Sequence, residues 1–254
     1  MRILVCVKQV PDVNEVKMRD DHTLDRSAAA QIMNPADESA LEIALRLRDA
    51  CGGSVSVVSM GQERVEAMLR EAISRGADAA TLLTDPAFAG ADTLITAKCL
   101  MQYVRKYGGY DLILCGRRSI DGETGQVGPM LASMLDIPCV VNAVRIDACG
   151  NRLMIDQLTE NGTISWETDA PALITMCEWS YRLRLPALKG LRRARTIEIP
   201  HIHPRDIEIP RDMCGIHASP TSVVRVQTNV INVRNCKKIQ AEQLPELLQQ
   251  MGVL

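Results

Sequence analysis

A glycine-spaced loop carries the residues whose types and spacing most clearly suggest chemistry. An apolar run ends at Gly116, and Gly122, Gly125 and Gly128 follow before apolar residues return with helical spacing. Glycine has no Cβ and accepts positive φ, so the backbone can approach a ligand closely. A loop that leads from a buried strand into a helix also presents free N–H groups, with the positive end of the helix dipole behind them. The pattern is compatible with phosphate binding, although a loop with this glycine spacing is more often a plain tight turn.

Two carboxylates in this loop oppose a phosphate. Asp121 and Glu123 would repel it, unless Asp121 is the N-cap of the following helix and Glu123 lies in its first turn. Each carboxylate would then bind helix N–H groups. The spacing matches neither G-x-G-x-x-G nor G-x-x-x-x-G-K-[ST], so neither the dinucleotide fingerprint nor the P-loop applies.

Histidines and cysteines give weaker indications of a site. His201 and His203 form an H-x-H pair, but no third ligand follows nearby, and we predict no metal site there. The nine cysteines are scattered from Cys6 to Cys236 without a C-x-x-C pair. This usage suits free thiols in a reducing compartment. Nothing in the chain has the pattern of a Ser-His-Asp hydrolase, and we predict no catalytic side chain.

A basic run near the start of the last third of the chain is another candidate functional segment. Its cations are Arg182, Arg184, Lys189, Arg192, Arg193 and Arg195, with no acidic residue among them. Leucines interleave with the charges and aromatic residues are scarce, which favours a protein partner over nucleic acid. A solvated face explains the run equally well.

Composition limits the class of protein. The chain has 254 residues and a formal net charge of −2, and 46% of its residues are hydrophobic. The balanced charge gives no global field for nucleic acid, and the apolar content supplies a core. Because no stretch has the pattern of a membrane span or a signal peptide, we expect a cytoplasmic protein.

The elements that must position the glycine loop alternate between strand and helix. Buried strands are predicted at 2–7, 54–59, 79–84 and 112–115, and helices at about 38–50, 63–75, 93–107 and 127–135. Such alternation predicts an α/β fold with a doubly wound, mostly parallel sheet. Open parallel sheets bind ligands at the carboxyl ends of their strands, although each connection alone is compatible with an ordinary loop.

The pattern changes after Pro138. Three strands between 139 and 166, joined by glycine-containing turns, predict an antiparallel addition, and a buried strand returns at 172–176. Residues 196–254 have sparse helical signal and frequent prolines, which predicts an extended C-terminal arm ending in a short helix at 241–251.

We therefore divide the chain into two parts. Residues 1–195 are the predicted α/β domain, which includes the basic run at 180–195. Residues 196–254 are the predicted arm, which lacks a core of its own and is expected to pack on a partner subunit.

Several segments resemble the beta subunit of electron transfer flavoproteins. They are RILVCVKQVPD at 2–12, MNPADESALE at 33–42, SMG at 59–61 with RGAD at 75–78, and DLILCGRRSIDGETGQVGP at 111–129. The last is specific to the family, and the others occur in the right order. The resemblance covers nearly the whole chain. It implies a Rossmann-like, adenine-nucleotide-binding subunit that forms a heterodimer with a flavin-carrying alpha subunit, on which the arm packs.

The resemblance also implies which residues hold the nucleotide. On this chain they are Cys6, Asn34, Pro35, Ala36, Asp37, Met60, Thr93, Gly116, Arg117, Ile120, Asp121, Gly122, Glu123, Thr124, Gly125, Gln126 and Val127. The family's partner-recognition loop corresponds to the basic run. It implies Leu185 as the apolar anchor for docking, with Arg192 and Arg193 on the rim.

Two motifs resemble the flavin-bifurcating members of this family. Residues 120–129 fit I-D-G-[DE]-T-x-Q-V-G-P, and residues 88–93 match F-G-G-A-D-T except at Ala89. Ordinary members tend to carry a run of aspartates where this chain has Gly122 between two acids. Arg118 departs from the glutamine expected at its position.

The bifurcating type implies a specific electron path. An FAD accepts hydride from NADH and sends one electron to ferredoxin or flavodoxin and the other to the alpha-subunit FAD, which serves an acyl-CoA dehydrogenase-type flavoenzyme. One alternative is a non-bifurcating carrier that holds AMP as a structural piece. Another, from a different class, is a stand-alone nucleotide-binding regulatory protein.

Overall fold

The computed structural model describes residues 1–12, 17–18, 24–25, 30–222 and 240–250. The chain divides into one compact unit at Met1–Ser222 and a smaller one at Val223–Leu254. The strands are β1 (Arg2–Cys6), β2 (Gln9–Pro11), β3 (Lys17–Met18), β4 (Leu24–Asp25), β5 (Gln31–Met33), β6 (Ser54–Met60), β7 (Ala79–Leu83), β8 (Leu112–Gly116), β9 (Cys139–Cys149), β10 (Arg152–Thr159), β11 (Gly162–Asp169), β12 (Ala172–Met176) and β13 (His201–Ile202). The α-helices are α1 (Pro35–Cys51), α2 (Glu66–Ser74), α3 (Thr93–Tyr107), α4 (Val127–Leu135), α5 (Leu188–Thr196), α6 (Gly215–Ala218) and α7 (Leu244–Gln250).

A nine-stranded sheet forms the centre of the first unit, in the order β11-β10-β9-β12-β8-β1-β6-β7-β13. Neighbouring strands from β9 through β12 to β13 are parallel. Strands β9, β10 and β11 are antiparallel to one another. The predicted doubly wound sheet with an antiparallel addition is therefore confirmed. Because the chain adds strands first on one side of β1 and then on the other, the topological switch point lies between β1 and β8.

The core lies in two layers, one on each face of the sheet. In β1, Ile3 and Val5 contact the apolar residues of α1 and α2, whereas Leu4 and Cys6 contact those of α3 and α4. Successive side chains of a strand point to opposite faces, so a strand that is apolar throughout requires helices on both sides. Among the described helices, none combines the length and apolar composition needed to cross a membrane.

The compact unit extends beyond the predicted domain boundary at residue 195. Strand β13 pairs with β7 at the sheet edge, and Ile199, Ile202 and Ile207 are buried in the two core layers. Residues 196–222 thus belong to the first unit, because their apolar side chains complete its core. Helix α7 lies within the range predicted for the final helix, and the packing of the arm on a partner remains a prediction.

Candidate functional site

A cavity of about 1250 Å³ lies at the carboxyl edge of the parallel strands, over the switch point. Its walls come from the loops after β1, β6, β7 and β8 and from the N-termini of α3 and α4. Most of the predicted nucleotide-binding residues line it: Cys6, Asn34, Asp37, Met60, Thr93, Gly116, Arg117, Gly122, Thr124, Gly125, Gln126 and Val127. Lys8 and Ser59 also line the cavity, at the carboxyl ends of β1 and β6, and Thr221 lines it from a later part of the chain that carries no sequence signal for a site.

Some predicted residues lie behind the cavity wall. Pro35 and Ala36 form the first turn of α1, where the fixed φ of proline suits the first helical position. The Ile120 N–H donates to Asn34 Oδ1 at 3.2 Å. Asp121 and Glu123 are also outside the lining. These residues shape the loop without facing the cavity.

Asn34 and Asp37 join the loops on the two sides of the switch point. The Asp37 carboxylate accepts the Lys8 N–H at 2.7 Å, after β1, and the Gly116 N–H at 2.9 Å, at the end of β8. Asn34 Nδ2 donates to the Arg118 carbonyl at 2.9 Å. Both side chains are buried, so their hydrogen bonds hold the cavity floor in one geometry.

Asp121 does not cap the following helix, so this way of weakening its repulsion of phosphate does not apply. Helix α4 begins at Val127, with Gln126 in the cap position, and the glycine loop is longer than a capping turn allows. The Lys8 ammonium instead lies 2.7 Å from both oxygens of Asp121. Although burial opposes ionisation, hydrogen bonds from Lys8 and Ser119 bring the pKa of Asp121 below its usual value. The positive charge of Lys8 thus offsets the negative charge of Asp121. The ion pair, and not a helix cap, reduces the repulsion of a phosphate by this carboxylate.

Glu123 also lies outside the helix. Its φ is +52°, and its N–H donates to the Ser119 carbonyl at 2.8 Å, which closes a turn inside the loop. Glu123 therefore does not lie in the first turn of α4, and its carboxylate does not bind the N–H groups of that helix. Its side chain is exposed and lies 3.9 Å from the Arg118 guanidinium.

The N-termini of α3 and α4 meet at the cavity. Thr93 Oγ1 donates to Gln126 Oε1 at 2.9 Å, which ties the two helix starts together. Gly125 has a φ of +63°, which favours glycine at the turn before α4. Asp92 caps the N-terminus of α3, whereas no side chain caps α4, so the first N–H groups of α4 are free at this wall and suit an anionic group.

An orphaned hydroxyl tests whether the cavity fits a polar ligand. Ser59 Oγ is buried and has no hydrogen-bond partner, alone in this respect among the described buried side chains. Ser59 lies near the carboxyl end of β6 and lines the cavity. An unsatisfied buried hydroxyl costs about 1–3 kcal/mol, which a hydrogen-bonding ligand atom would recover. Together with the glycine cradle and the helix N-termini, it fits a nucleotide.

Asp37 predicts a pH dependence of stability. Burial raises its pKa from 3.8 to about 7, against the opposing hydrogen bonds from Lys8, Asn34 and Gly116. Between these two pH values the native state keeps a proton that the unfolded chain releases, so the free energy of unfolding falls as the pH rises through this window. Relative to Asp37→Asn, we expect the wild type to lose on the order of 2 kcal/mol between about pH 5 and about pH 7.5.

Urea unfolding of both proteins across this range measures the difference. Asp37→Asn is the matched reference, because it keeps the shape of the side chain and cannot ionise. Parallel curves would contradict the prediction and would mean that Asp37 is ionised throughout.

The basic run divides into inward and outward residues. Arg184 binds Glu42 Oε2 at 3.0 Å and Asp49 Oδ2 at 2.7 Å, and Arg193 donates to the carbonyls of Ala77 and Asp78. These bonds fix the segment against the body of the domain. An exposed set remains outside, which we call the docking surface: Leu185, Leu188, Lys189, Leu191 and Arg192. Of the three predicted docking residues, Leu185 and Arg192 belong to it, whereas the Arg193 guanidinium has internal partners.

The H-x-H pair, His201 and His203, holds β13 and the residue after it against the rest of the domain. His201 Nε2 lies 2.9 Å from Glu66 Oε2, whereas His203 Nδ1 lies 3.5 Å from Asp85 Oδ2. The two rings therefore pair with separate carboxylates. Further along, Thr221 Oγ1 donates to Asp92 at the start of α3 at 2.8 Å, which brings residues 220–221 to the cavity.

Comparisons with known proteins agree with this fold. The family model described as Electron transfer flavoprotein domain matches residues 21–206. The chain is 43% identical over 230 residues to an Electron transfer flavoprotein subunit beta of Thermoanaerobacterium thermosaccharolyticum, covering 90% of this chain and 88% of that protein. It is 39% identical to the protein of the same name from Megasphaera elsdenii, covering 90% and 87%. It is also 39% identical to the Caffeyl-CoA reductase-Etf complex subunit CarD of Acetobacterium woodii, covering 89% and 87%.

Proposed function

Because this chain belongs to the electron transfer flavoprotein family, among its beta subunits, we propose that it binds FAD and takes part in NADH-dependent electron bifurcation. In this proposal it forms a cytoplasmic heterodimer with a flavin-carrying alpha subunit. The heterodimer supplies electrons to ferredoxin or flavodoxin and to an acyl-CoA dehydrogenase-type flavoenzyme.

The observation that carries the proposal is the cavity at the switch point. It combines the two joined helix N-termini, the glycine loop and the orphaned Ser59 hydroxyl. The N–H groups around Gly125 and Gln126 would hold phosphate, and Ser59 would bind a polar atom elsewhere on the nucleotide. FAD, when bound there, supplies a group that accepts hydride and releases electrons one at a time.

Space and charge favour FAD over AMP. The cavity volume of about 1250 Å³ exceeds the range of about 300–1,000 Å³ usual for small-molecule pockets, so there is room beyond a mononucleotide. A Cβ at Gly122 would meet only Ser119 Oγ, at 3.3 Å, so the loop is open beside this residue. The Lys8–Asp121 pair removes one uncompensated negative charge from the same loop.

The docking surface supports the proposed partner. Leu185 is 82% exposed at the surface, and Lys189 and Arg192 lie near it in sequence without acidic neighbours. An apolar anchor with a cationic rim suits a partner with an apolar pocket bordered by acidic residues. The Acetobacterium woodii relative is named as a subunit of a Caffeyl-CoA reductase-Etf complex.

Nucleotide counting tests the proposed cofactor. The chain is co-expressed with its alpha subunit, the purified heterodimer is denatured, and released nucleotides are separated by chromatography. We expect two FAD per heterodimer, and reduction of one of them by NADH in the native protein. One FAD with one AMP would refute bifurcation and would identify a carrier with a structural nucleotide. A stable chain that binds no alpha subunit would instead favour a stand-alone regulatory protein.

A further inference from the structure

Arg118 differs from the other cations of the cavity in its bonding. Lys8, Arg117 and Arg118 all line the cavity. Lys8 binds Asp121, and Arg117 forms a two-bond pair with Glu178 at 2.5 and 2.6 Å. Within the described part of the chain, the Arg118 guanidinium makes no hydrogen bond. Its nearest carboxylate oxygens are Glu178 Oε1 at 3.6 Å and Glu123 Oε1 at 3.9 Å.

These two carboxylates hold Arg118 weakly. Both oxygens of Glu178 already accept hydrogen bonds from Arg117, which lower the pKa of Glu178. Glu123 is largely exposed, and exposed pairs contribute little because water screens them. The five N–H donors of Arg118 are therefore available at the cavity wall.

The backbone of Arg118 is fixed although its side chain is not. Its carbonyl accepts a hydrogen bond from buried Asn34 Nδ2 at 2.9 Å. The loop that begins here returns to the cavity at Gln126, where α4 begins. The loop thus has a group that can bind an anion at each end. These are the Arg118 guanidinium, which makes no hydrogen bond within the described part of the chain, and the N-terminus of α4.

We propose that Arg118 binds a second phosphate group of the nucleotide and selects a diphosphate ligand over a monophosphate. The N-terminus of α4 accommodates one phosphate, and the planar guanidinium matches the oxygens of the next. This inference rests on the proposed function, because it assumes that a nucleotide occupies the cavity. It assigns the choice of ligand class to one side chain.

Affinities for AMP, ADP and FAD test the proposal. The full-length chain with its alpha subunit is freed of the nucleotide in this cavity, and dissociation constants are measured by calorimetry for wild type and Arg118→Gln. We expect Arg118→Gln to weaken ADP and FAD binding by about tenfold or more and AMP binding by less than about twofold. ADP is the smallest probe with the second phosphate, and FAD shows whether the flavin-bearing ligand follows the same rule.

Two further variants sharpen the result. Arg118→Lys keeps the positive charge but lacks the planar set of N–H donors, and it should retain part of the preference for ADP. Arg145→Gln removes an exposed cation on β9 and should leave all three affinities unchanged. Equal loss of AMP and ADP affinity, or no loss in Arg118→Gln, would refute the role of Arg118. Failure of the wild type to bind any of the three would refute the proposed function itself.

Discussion

Replacement of Gly116 by valine is expected to abolish nucleotide retention and to lower the free energy of unfolding by about 3 kcal/mol or more. A Cβ at this position would collide with Asp37 Oδ1 and would lie 2.8 Å from Ala36 Cβ and 3.0 Å from the Ala36 carbonyl carbon. These atoms belong to the first turn of α1 and cannot move aside independently. Relief of the collision requires α1 to separate from β8, which breaks the bridge from Asp37 to the Lys8 and Gly116 N–H groups.

The measurements are denaturant unfolding and the nucleotide content of the purified heterodimer. Gly122→Ala is the matched control, because its added Cβ meets only Ser119 Oγ at 3.3 Å and its φ lies outside the positive range. We expect this variant to change the unfolding free energy by less than about 0.5 kcal/mol. Normal retention in Gly116→Val would contradict the close packing of α1 on β8.

The order of the elements was predictable from the sequence because its physical causes are local. After the exposed Arg2, the strand is apolar from Ile3 to Cys6, as a strand covered on both faces must be, and Gly52 ends α1 with positive φ. Asp92 caps α3 by accepting the Ile95 N–H, as its position before Thr93 predicts. The alternation of these signals suffices to predict a doubly wound sheet.

The long-range pairings of the site were not predictable in this way. Lys8 and Asp121 are 113 positions apart, and nothing in either local sequence indicates that they meet. Lys8 follows the first strand, and the rule that ligands bind at strand ends places it among the wall residues, but this rule says nothing of its partner. The approach of Thr221 to Asp92 carries no comparable signal, because it depends on how residues 196–222 cross the domain.

The same limit applies to the basic run. From composition alone, every arginine of the run is an equally good candidate for docking. In the fold, however, Arg184 and Arg193 bind partners inside the domain. Charge reversal at Arg193 would disturb the carbonyl contacts of Ala77 and Asp78, so it cannot separate docking from stability. Arg192 is exposed and allows that separation.

Leu185→Ala is expected to slow electron transfer to the partner flavoenzyme by about tenfold or more, which corresponds to about 1.4 kcal/mol, with no loss of bound nucleotide. The side chain is 82% exposed, so its truncation removes no core packing. The adjacent Arg184 holds the segment in place through Glu42 and Asp49, so the leucine is presented with little conformational entropy left to lose on binding. Stopped-flow transfer kinetics and nucleotide content measure the two effects separately.

Two comparisons decide whether the effect belongs to the docking surface. Leu158→Ala truncates another exposed leucine, on β10, and should leave the transfer rate unchanged. Arg192→Glu should slow transfer most at low ionic strength and progressively less as salt is added, because an exposed rim charge acts mainly on the rate of association. Equal rates for wild type and Leu185→Ala would exclude this leucine as an anchor. If Arg192→Glu slows transfer by the same factor at every salt concentration, an acidic partner surface is excluded. Salt screens contacts between exposed charges, so such a contact must weaken as salt is added.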